Sequence, residues 1–518
     1  MEHTFLLNSE YLCFPIAAGQ PKILLEILAD GTKKMEFRIP FPAPQQEGGG
    51  SEEYDFYARI RMEGLKGHDI TLRGAFTESF VRLIRQSDTF YNNYNNMERK
   101  DTDVPQIHFH PETGWINDPN GLVYQDGIYH LYYQYNPLDI EWDNMSWGHA
   151  VSRDLLHWEE QPAVMYPDQD GMIFSGCGLR NDRGCLGLAK DALLFFYTAA
   201  GGANPWSEGK AFVQKLAYSL DGGRTLVKSP DWVMDTICRE NRDPKIFWHE
   251  PSRKYVMVLW LEENDFGIFT SPDLDKFEMT DRLSLPQAWE CPDLLKLIVE
   301  GSGEEEWIFW SADGFYYPGK FDGTSFQAEG KRLEAYQTRL PYASQTYSGV
   351  NGRAVSIPWL RTQNSGRSYR GVMGIPRELS LIRTQDGLRL SQKFIREWND
   401  TKKRVFQAKN TDRCSWLKQS SSPVEVHCRL EGCETAELFI LSERVSYNSR
   451  EGMLYSGSVQ APCPADITGL SVIVDGEIIE IADDSGIMNV ILEREAGEME
   501  GEISMTCDGW FDIHIYEG

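Results

Sequence analysis

Three acidic residues of the 518-residue chain stand in settings that suit proton transfer or nucleophilic attack. Asp118 and Asp243 each precede a proline, which favours an extended backbone and so predicts a carboxyl group at a strand end rather than inside a helix. Glu290 is flanked by Trp289 and Cys291, and apolar neighbours suit a carboxyl group that must donate a proton. Each setting, taken alone, is more typical of an ordinary turn than of a functional site.

Two carboxyl groups that face one bond are what glycoside hydrolysis requires, because the leaving oxygen needs a proton and the sugar carbon needs a nucleophile or a counter-charge. Aromatic side chains could stack on the faces of a sugar. The candidates are Trp115, Trp142, Trp147, Phe174 and Trp289. The polar candidates for binding hydroxyl groups or a neighbouring carboxylate are Asn117, Gln134, Ser175 and Arg242.

The elements that must position these side chains are strands. Short aromatic and β-branched runs separated by turns fill residues 105–395, and a turn-then-strand segment recurs at 152–158, 219–225, 271–277 and 321–326. A repeat of roughly 50 to 70 residues in a strand-rich chain is typical of propeller blades. About five units fit, and the three acids would then meet at one axial funnel. A single large β-sandwich is the alternative.

The two ends of the chain are strand-rich without that repeat. Asp-Gly turn signals at 30–31 and 475–476 predict β-hairpins, and an alternating pattern predicts a strand at 509–516. The sequence therefore predicts an all-β protein with three parts. These are a β-rich, sandwich-like N-terminal module at 1–100, a five-bladed β-propeller at 105–395 and a C-terminal β-sandwich at 400–518.

Composition disfavours several classes of partner. The formal net charge of −27 repels phosphate backbones and anionic membrane surfaces, so we expect neither nucleic acid nor a membrane as a partner. Ten scattered cysteines and an N-terminus without the pattern of a signal peptide predict a cytoplasmic protein. A secreted form from which the signal has been removed is the alternative.

A pair of histidines raises the hypothesis of a metal site. His108 and His110 would share one face of a strand, as two ligands of one metal ion do. No cysteine or acidic cluster at a diagnostic spacing completes a ligand set around them. We therefore expect no metal and no cofactor.

Three motifs, in order and at matching spacing, resemble the signatures of glycoside hydrolase family 32, which contains invertases, inulinases and levanases. They are WINDPNG at 115–121, RDP at 242–244 and EC at 290–291. Further segments that resemble the family are YQYNP at 133–137, WGH at 147–149, FSG at 174–176, YASQT at 342–346 and PREL at 376–379.

The resemblance implies a five-bladed propeller followed by a β-sandwich, and cleavage of fructosyl bonds with retention of configuration. Asp118 would be the nucleophile, Glu290 the general acid and base, and Asp243 the residue that binds fructose hydroxyls and stabilises the transition state. The implied fructose subsite contains Asn117, Gln134, Trp142, Phe174 and Ser175, with Arg242 beside Asp243.

The implied function is release of terminal fructose from β-fructans such as levan and inulin, from sucrose, or from both. One alternative is a fructosyltransferase on the same scaffold, in which a sugar hydroxyl replaces water. Another is a carbohydrate-binding propeller without catalysis. The implied partner is therefore a fructose-containing oligo- or polysaccharide.

Overall fold

A computed structural model describes residues 1–41, 54–90, 104–464, 467–495 and 497–518. Strands dominate, and the described residues contain only two short α-helices, α1 (Glu78–Leu83) and α2 (Arg396–Thr401). Within these ranges, no helix is long and apolar enough to cross a membrane. The predicted boundary between residues 100 and 105 lies partly outside the described residues, so the three-part division of the chain stays a prediction.

The N-terminal strands form two sheets over one apolar core. They are β1 (Glu2–Leu6), β2 (Tyr11–Ile16), β3 (Lys22–Ala29), β4 (Thr32–Pro40), β5 (Phe56–Arg61), β6 (Asp69–Gly74) and β7 (Arg85–Ser87). One sheet has the order β1-β6-β3-β4 and the other β5-β2-β7. The hairpin predicted at Asp30-Gly31 joins β3 to β4, and both turn residues have positive φ, which favours Asp-Gly there.

Five sheets follow along the chain, each built around a run of antiparallel strands. The first contains β8 (Gly114–Gln125), β9 (Ile128–Asn136), β10 (Ser146–Ser152) and β11 (Trp158–Met165). The second contains β12 (Met172–Arg180), β13 (Leu193–Ala200), β14 (Phe212–Ser219) and β15 (Val227–Met234). The third contains β16 (Arg242–His249), β17 (Lys254–Glu262), β18 (Asp265–Ser271) and β19 (Glu278–Ser284).

The fourth sheet contains β20 (Asp293–Ile298), β21 (Glu305–Trp310), β22 (Phe315–Phe321), β23 (Phe326–Ala328) and β24 (Leu333–Glu334). The fifth begins with β25 (Pro341–Thr346) and β26 (Ala354–Leu360). The next strand, β27 (Tyr369–Arg370), pairs in parallel with β8 of the first sheet and so links the last blade to the first. The fifth sheet is completed by β28 (Val372–Met373), β29 (Arg377–Thr384) and β30 (Gly387–Phe394).

The repeat found in the sequence is the turn between the third and fourth strands of a blade. In the first three blades, the hydroxyl oxygens of Ser152, Ser219 and Ser271 each accept a hydrogen bond from a backbone N–H three or four residues later, at 2.8–2.9 Å. Such side-chain bonds stabilise tight turns. The fourth repeat occupies the same place between β22 and β23, and the prediction of propeller blades is confirmed.

The C-terminal β-sandwich is built from ten strands that enclose their own core; nine lie on one continuous hydrogen-bonded path, and the tenth pairs with the last strand of the chain. The strands are β31 (Lys403–Lys418), β32 (Val424–Glu431), β33 (Thr435–Ile440), β34 (Glu443–Asn448), β35 (Met453–Ser456), β36 (Val459–Pro462), β37 (Gly469–Asp475), β38 (Ile478–Asp483), β39 (Asn489–Glu493) and β40 (Gly501–Glu517). The predicted hairpin at Asp475-Gly476 joins β37 to β38. The all-β fold class, a propeller followed by a sandwich, is confirmed.

A buried ionic cluster joins the propeller to the sandwich. The two ring nitrogens of His108 lie 2.8 Å from Asp475 and 3.1 Å from Glu480, and Arg377 of β29 also pairs with Glu480. The other histidine of the metal hypothesis, His110, stacks on the ring of Tyr369. Among the described residues, no group of three or more His, Cys, Asp and Glu side chains could hold a metal ion.

This cluster predicts a dependence of stability on pH. Burial alone would lower the pKa of His108, but the hydrogen bonds to Asp475 and Glu480 and the charges of these two carboxylates together outweigh burial and raise that pKa to about 9. The stability that the protonated imidazole contributes is therefore complete below about pH 6.5 and is lost as the pH rises through 9. We expect the melting temperature of wild type to exceed that of His108→Gln most at pH 6, with the difference shrinking by pH 9.5. A difference that stays constant across this range would contradict the assignment.

Candidate active site

The innermost strands of the blades bring the three predicted acids to one end of the propeller axis. Asp118 lies on β8, Asp243 on β16 and Glu290 just before β20. Cys291, the chain neighbour of Glu290, connects them. Its backbone N–H donates to Asp243 Oδ2 at 3.2 Å, and its Sγ lies 3.5 Å from Oδ2 of both Asp118 and Asp243. Residues separated by up to 173 positions in the chain therefore meet at one point.

The backbone at this point adopts a conformation that L-residues rarely use. Asp243, Glu290 and Cys291 have φ values of 65°, 48° and 38°. Positive φ costs free energy for residues other than glycine and is concentrated at functional sites, where the surrounding fold imposes it. The turn before β20 and the start of β16 are thus shaped by the packing of the blades against one another rather than by local preference.

Asp118 is held by a hydroxyl group of the neighbouring blade. Ser175 of β12 donates a hydrogen bond to Asp118 Oδ2 at 2.6 Å. Burial raises the pKa of Asp118 and the charge of Glu290 adds to this effect, while the Ser175 hydroxyl acts in the opposite direction by stabilising the carboxylate. Ser175 therefore helps to keep a buried carboxylate in its charged form, which is the form that a nucleophile requires.

Glu290 has charged and polar partners rather than the apolar surroundings that its sequence neighbours suggest. Its Oε1 pairs with Arg242, and its Oε2 accepts a hydrogen bond of 2.8 Å from the Tyr342 hydroxyl. Trp289 is 40% exposed and packs against Trp260. The guanidinium of Arg242 lies over the Trp260 ring, 4.0 Å from its centre. The expectation differs from the structure because neighbouring residues in a chain point in different directions.

The raised pKa of Asp243 leads us to expect a second dependence of stability on pH. Burial raises its pKa to about 7, with Glu290 and Asp118 adding to the rise and Arg242 opposing it. In the unfolded chain this pKa is about 4. The stability gained from the extra bound proton is thus complete below about pH 4 and is lost as the pH rises through 7. We expect Asp243→Asn to melt at the wild-type temperature near pH 4 and at a higher temperature at pH 8.

The matched control is Asp126→Asn, at the exposed tip of the hairpin between β8 and β9. This variant should follow the wild-type melting temperature at every pH between 4 and 8. Equal shifts for the two variants, or a shift of Asp243→Asn that is independent of pH, would contradict the assignment.

The remaining predicted sugar-binding residues lie around these acids in two groups. On β8, the indole N–H of Trp115 donates to Asn117 Oδ1 at 3.0 Å, next to Asp118. Across the rim, Trp142 is 48% exposed and its ring meets the edge of Phe174, with centroids 6.2 Å apart. Aromatic faces that are open to solvent beside carboxylates suit sugar stacking, and the sugar-binding role of these residues stays a prediction.

Gln134 and Arg242 lie deeper than the stacking residues. Gln134 of β9 is 2% exposed, and its amide donates to the backbone oxygen of Ile173 at 2.9 Å, so it fixes the start of β12 directly before Phe174. Arg242 lies between two of the acids, paired with Glu290 and with its Nε 3.9 Å from Asp243 Oδ2.

Three further residues belong to the site but were not proposed as site residues from sequence. Tyr342 and Cys291 lie inside motifs that resemble the family, so a signal for both was present. Asp313 lies in the turn between β21 and β22, and burial together with the charge of Glu290 raises its pKa. Its Ala-Asp-Gly context is that of an ordinary hairpin turn, and we find no signal in the sequence that could have selected it.

The fold and the site together define a five-bladed propeller with an acidic site at one end of its axis. A profile described as the glycosyl hydrolases family 32 N-terminal domain matches residues 108–393, and the chain belongs to this family.

Curated relatives match over little more than half of the chain. A levanase of Bacillus subtilis is 35% identical over 325 residues, which cover 57% of this chain and 47% of the levanase. An extracellular exo-inulinase of Aspergillus niger is 32% identical over 350 residues, which cover 57% of this chain and 65% of the relative. An invertase of Schizosaccharomyces pombe is 30% identical and covers 58% of each chain. The chain thus spans about half to two thirds of the length of these relatives.

Solved structures share the architecture. The crystal structure of exo-inulinase from Aspergillus awamori superposes with a TM-score of 0.71 at 24% identity and covers 80% of this chain and 98% of that one. A family 32 structure from Bifidobacterium adolescentis covers 100% of this chain and 99% of that one, with a TM-score of 0.66 at 18% identity. At these identities the likeness shows the fold.

Proposed function

We propose that the protein is a retaining glycosidase that releases fructose from β-fructans, from sucrose, or from both, through a fructosyl-enzyme intermediate. The observation that carries this proposal is the convergence of Asp118, Asp243 and Glu290 around Cys291 at one end of the propeller axis. Its support from relatives is that the matching proteins are named levanase, exo-inulinase and invertase.

In the first step, a carboxylate oxygen of Asp118 attacks the anomeric carbon C2 of fructose while the bond from C2 to the leaving oxygen breaks. Glu290 donates its proton to that oxygen, so the leaving group departs as a neutral alcohol and the fructosyl ester of Asp118 remains. Arg242 and the Tyr342 hydroxyl contact separate oxygens of Glu290 and so fix the orientation of the carboxyl group.

In the second step, Glu290 takes a proton from water, the water oxygen attacks C2, and the ester bond to Asp118 breaks. The released fructose has the configuration of the substrate, because C2 has been inverted twice. Asp243 binds fructose hydroxyls, and its negative charge stabilises the positive charge that develops on the sugar ring in the transition state.

Chromatography of the products from sucrose, inulin and levan tests the proposal directly. Free fructose as the main product supports a hydrolase. Larger fructosylated products at high sucrose concentration would identify a fructosyltransferase, in which a sugar hydroxyl replaces water in the second step. Intact substrate with wild type, together with fructan binding by Asp118→Asn, would identify a binding propeller.

A further inference from the structure

The loop between β9 and β10 carries Trp142 to the rim of the site and is anchored in the N-terminal module. Leu138 of this loop is fully buried in the core of that module. Lys22, at the start of β3, forms ion pairs of 2.9 Å with Asp139 and 3.3 Å with Asp143. The contacts lie on both sides of Trp142 in the sequence, so the module holds the loop at both of its ends.

The second end of the loop is fixed by hydrogen bonds between the Asn144 side chain and the backbone of Arg38. Asn144 is 3% exposed, and its side-chain amide both accepts from the backbone N–H of Arg38 and donates to the Arg38 carbonyl oxygen, each at 2.8 Å. Asn144 extends strand β4 in this way as a backbone pair would. Its φ of 44° turns the chain, and asparagine tolerates such a turn better than most residues.

The side of the loop that faces the site makes a different set of contacts. Glu141, the residue before Trp142, pairs with Arg370 at 2.6 Å, and the Arg370 guanidinium lies 5.4 Å from the ring centre of Trp115. Trp142 itself is half exposed and meets Phe174. The indole ring therefore stands between anchors in the N-terminal module and the aromatic lining of the site.

The module also reaches a second loop at the same end of the propeller. Between β13 and β14, the backbone N–H of Trp206 donates to Glu36 Oε1 at 2.9 Å, and the Lys33 ammonium lies 4.8 Å from the centre of the Trp206 ring. Glu36 is 4% exposed, so this is a buried contact rather than a chance surface pair. Two rim loops, from adjacent blades, are thus joined to the same small sheet.

We propose that the N-terminal module is a positioning element of the active site, and that Lys22 acts through Asp143 to hold Trp142 where it stacks on the substrate. This inference rests on the proposed fructoside-cleaving function. Stacking on the bound sugar contributes equally to the ground state and the transition state. Its loss therefore raises KM and leaves kcat nearly unchanged.

The test compares Lys22→Met with wild type on sucrose and inulin, because methionine keeps the apolar stem and removes the charge. We expect KM to rise about five- to tenfold and kcat to stay within about twofold. Lys34→Met, on the exposed face of β4 in the same module, is the matched control and should keep the wild-type constants. Melting temperatures are recorded for every variant. The second variant is Asp143→Asn. It removes the charge that pairs with Lys22 but keeps an oxygen that can accept the hydrogen bond from the Asn144 N–H.

A double-variant cycle separates positioning from a general loss of structure. If Lys22 acts by holding Trp142 in place, Lys22→Met should raise KM in the wild-type background. In the Trp142→Ala background, the same substitution should have no further effect on KM. Independent, multiplying effects on KM would overturn the inference, and so would an unchanged KM in both Lys22→Met and Asp143→Asn or a loss confined to kcat. A wild-type protein that releases no fructose would instead overturn the proposed function, so the two failures are distinguishable.

Discussion

Asp118→Asn is expected to lower kcat for fructose release by about four orders of magnitude or more. An amide oxygen can accept the hydrogen bond from Ser175, so the local structure should persist, but a neutral amide cannot form the fructosyl ester. The measurement is initial rates of fructose release from sucrose and from inulin, with calorimetric titration of sucrose to show that the site still binds sugar.

Asp126→Asn is the control, because it makes the same chemical change on the surface, in the turn that follows strand β8. It should keep wild-type kcat and KM. A variant of Asp118 that retains more than a tenth of the wild-type rate, with the mutation verified by mass spectrometry, would show that another group attacks the sugar.

Glu290→Ala is expected to lower kcat/KM for inulin by about 10²- to 10⁴-fold, the range for loss of a general acid. For β-fructosyl fluoride the loss should be less than about tenfold, since fluoride departs without needing a full proton. The comparison uses kcat/KM because this constant reports the first step, whereas the second step needs Glu290 as a base with either substrate. Equal losses on the two substrates would contradict the role of Glu290 as proton donor.

Arg242 pairs with Glu290 and lies next to Asp243. Alanine at position 290 removes the Glu290 partner of Arg242 and so changes the charges around Asp243 as well. Glu290→Gln keeps oxygen and nitrogen atoms at the positions that face Arg242 and Tyr342 but has no acidic proton. It should show the same dependence on the leaving group. Glu329→Ala, an exposed glutamate of the same blade, is the surface control and should behave as wild type.

The sequence by itself determined the elements that depend on neighbouring residues. The hairpin at Asp30-Gly31 was predictable because a two-residue turn with positive φ favours these residue types, and the hairpin at Asp475-Gly476 was predictable because Gly476 supplies the positive φ directly after the last paired residue of β37. The serine-containing turns at the third and fourth strands were visible as a repeat because their hydrogen bonds lie within four residues of one another. The motifs around Asp118, Asp243 and Glu290 were equally local, and the family resemblance supplied their expected roles.

Only the tertiary structure decided which side chains meet. The contacts of Glu290 with Arg242 and Tyr342, of Cys291 with Asp118, and of Lys22 with Asp143 join residues that are 48, 52, 173 and 121 positions apart. Such contacts exist only when the ring of blades has closed and the N-terminal sheets have packed against two rim loops. Burial, charge and backbone strain at the site are set by that packing, and no short stretch of sequence encodes them.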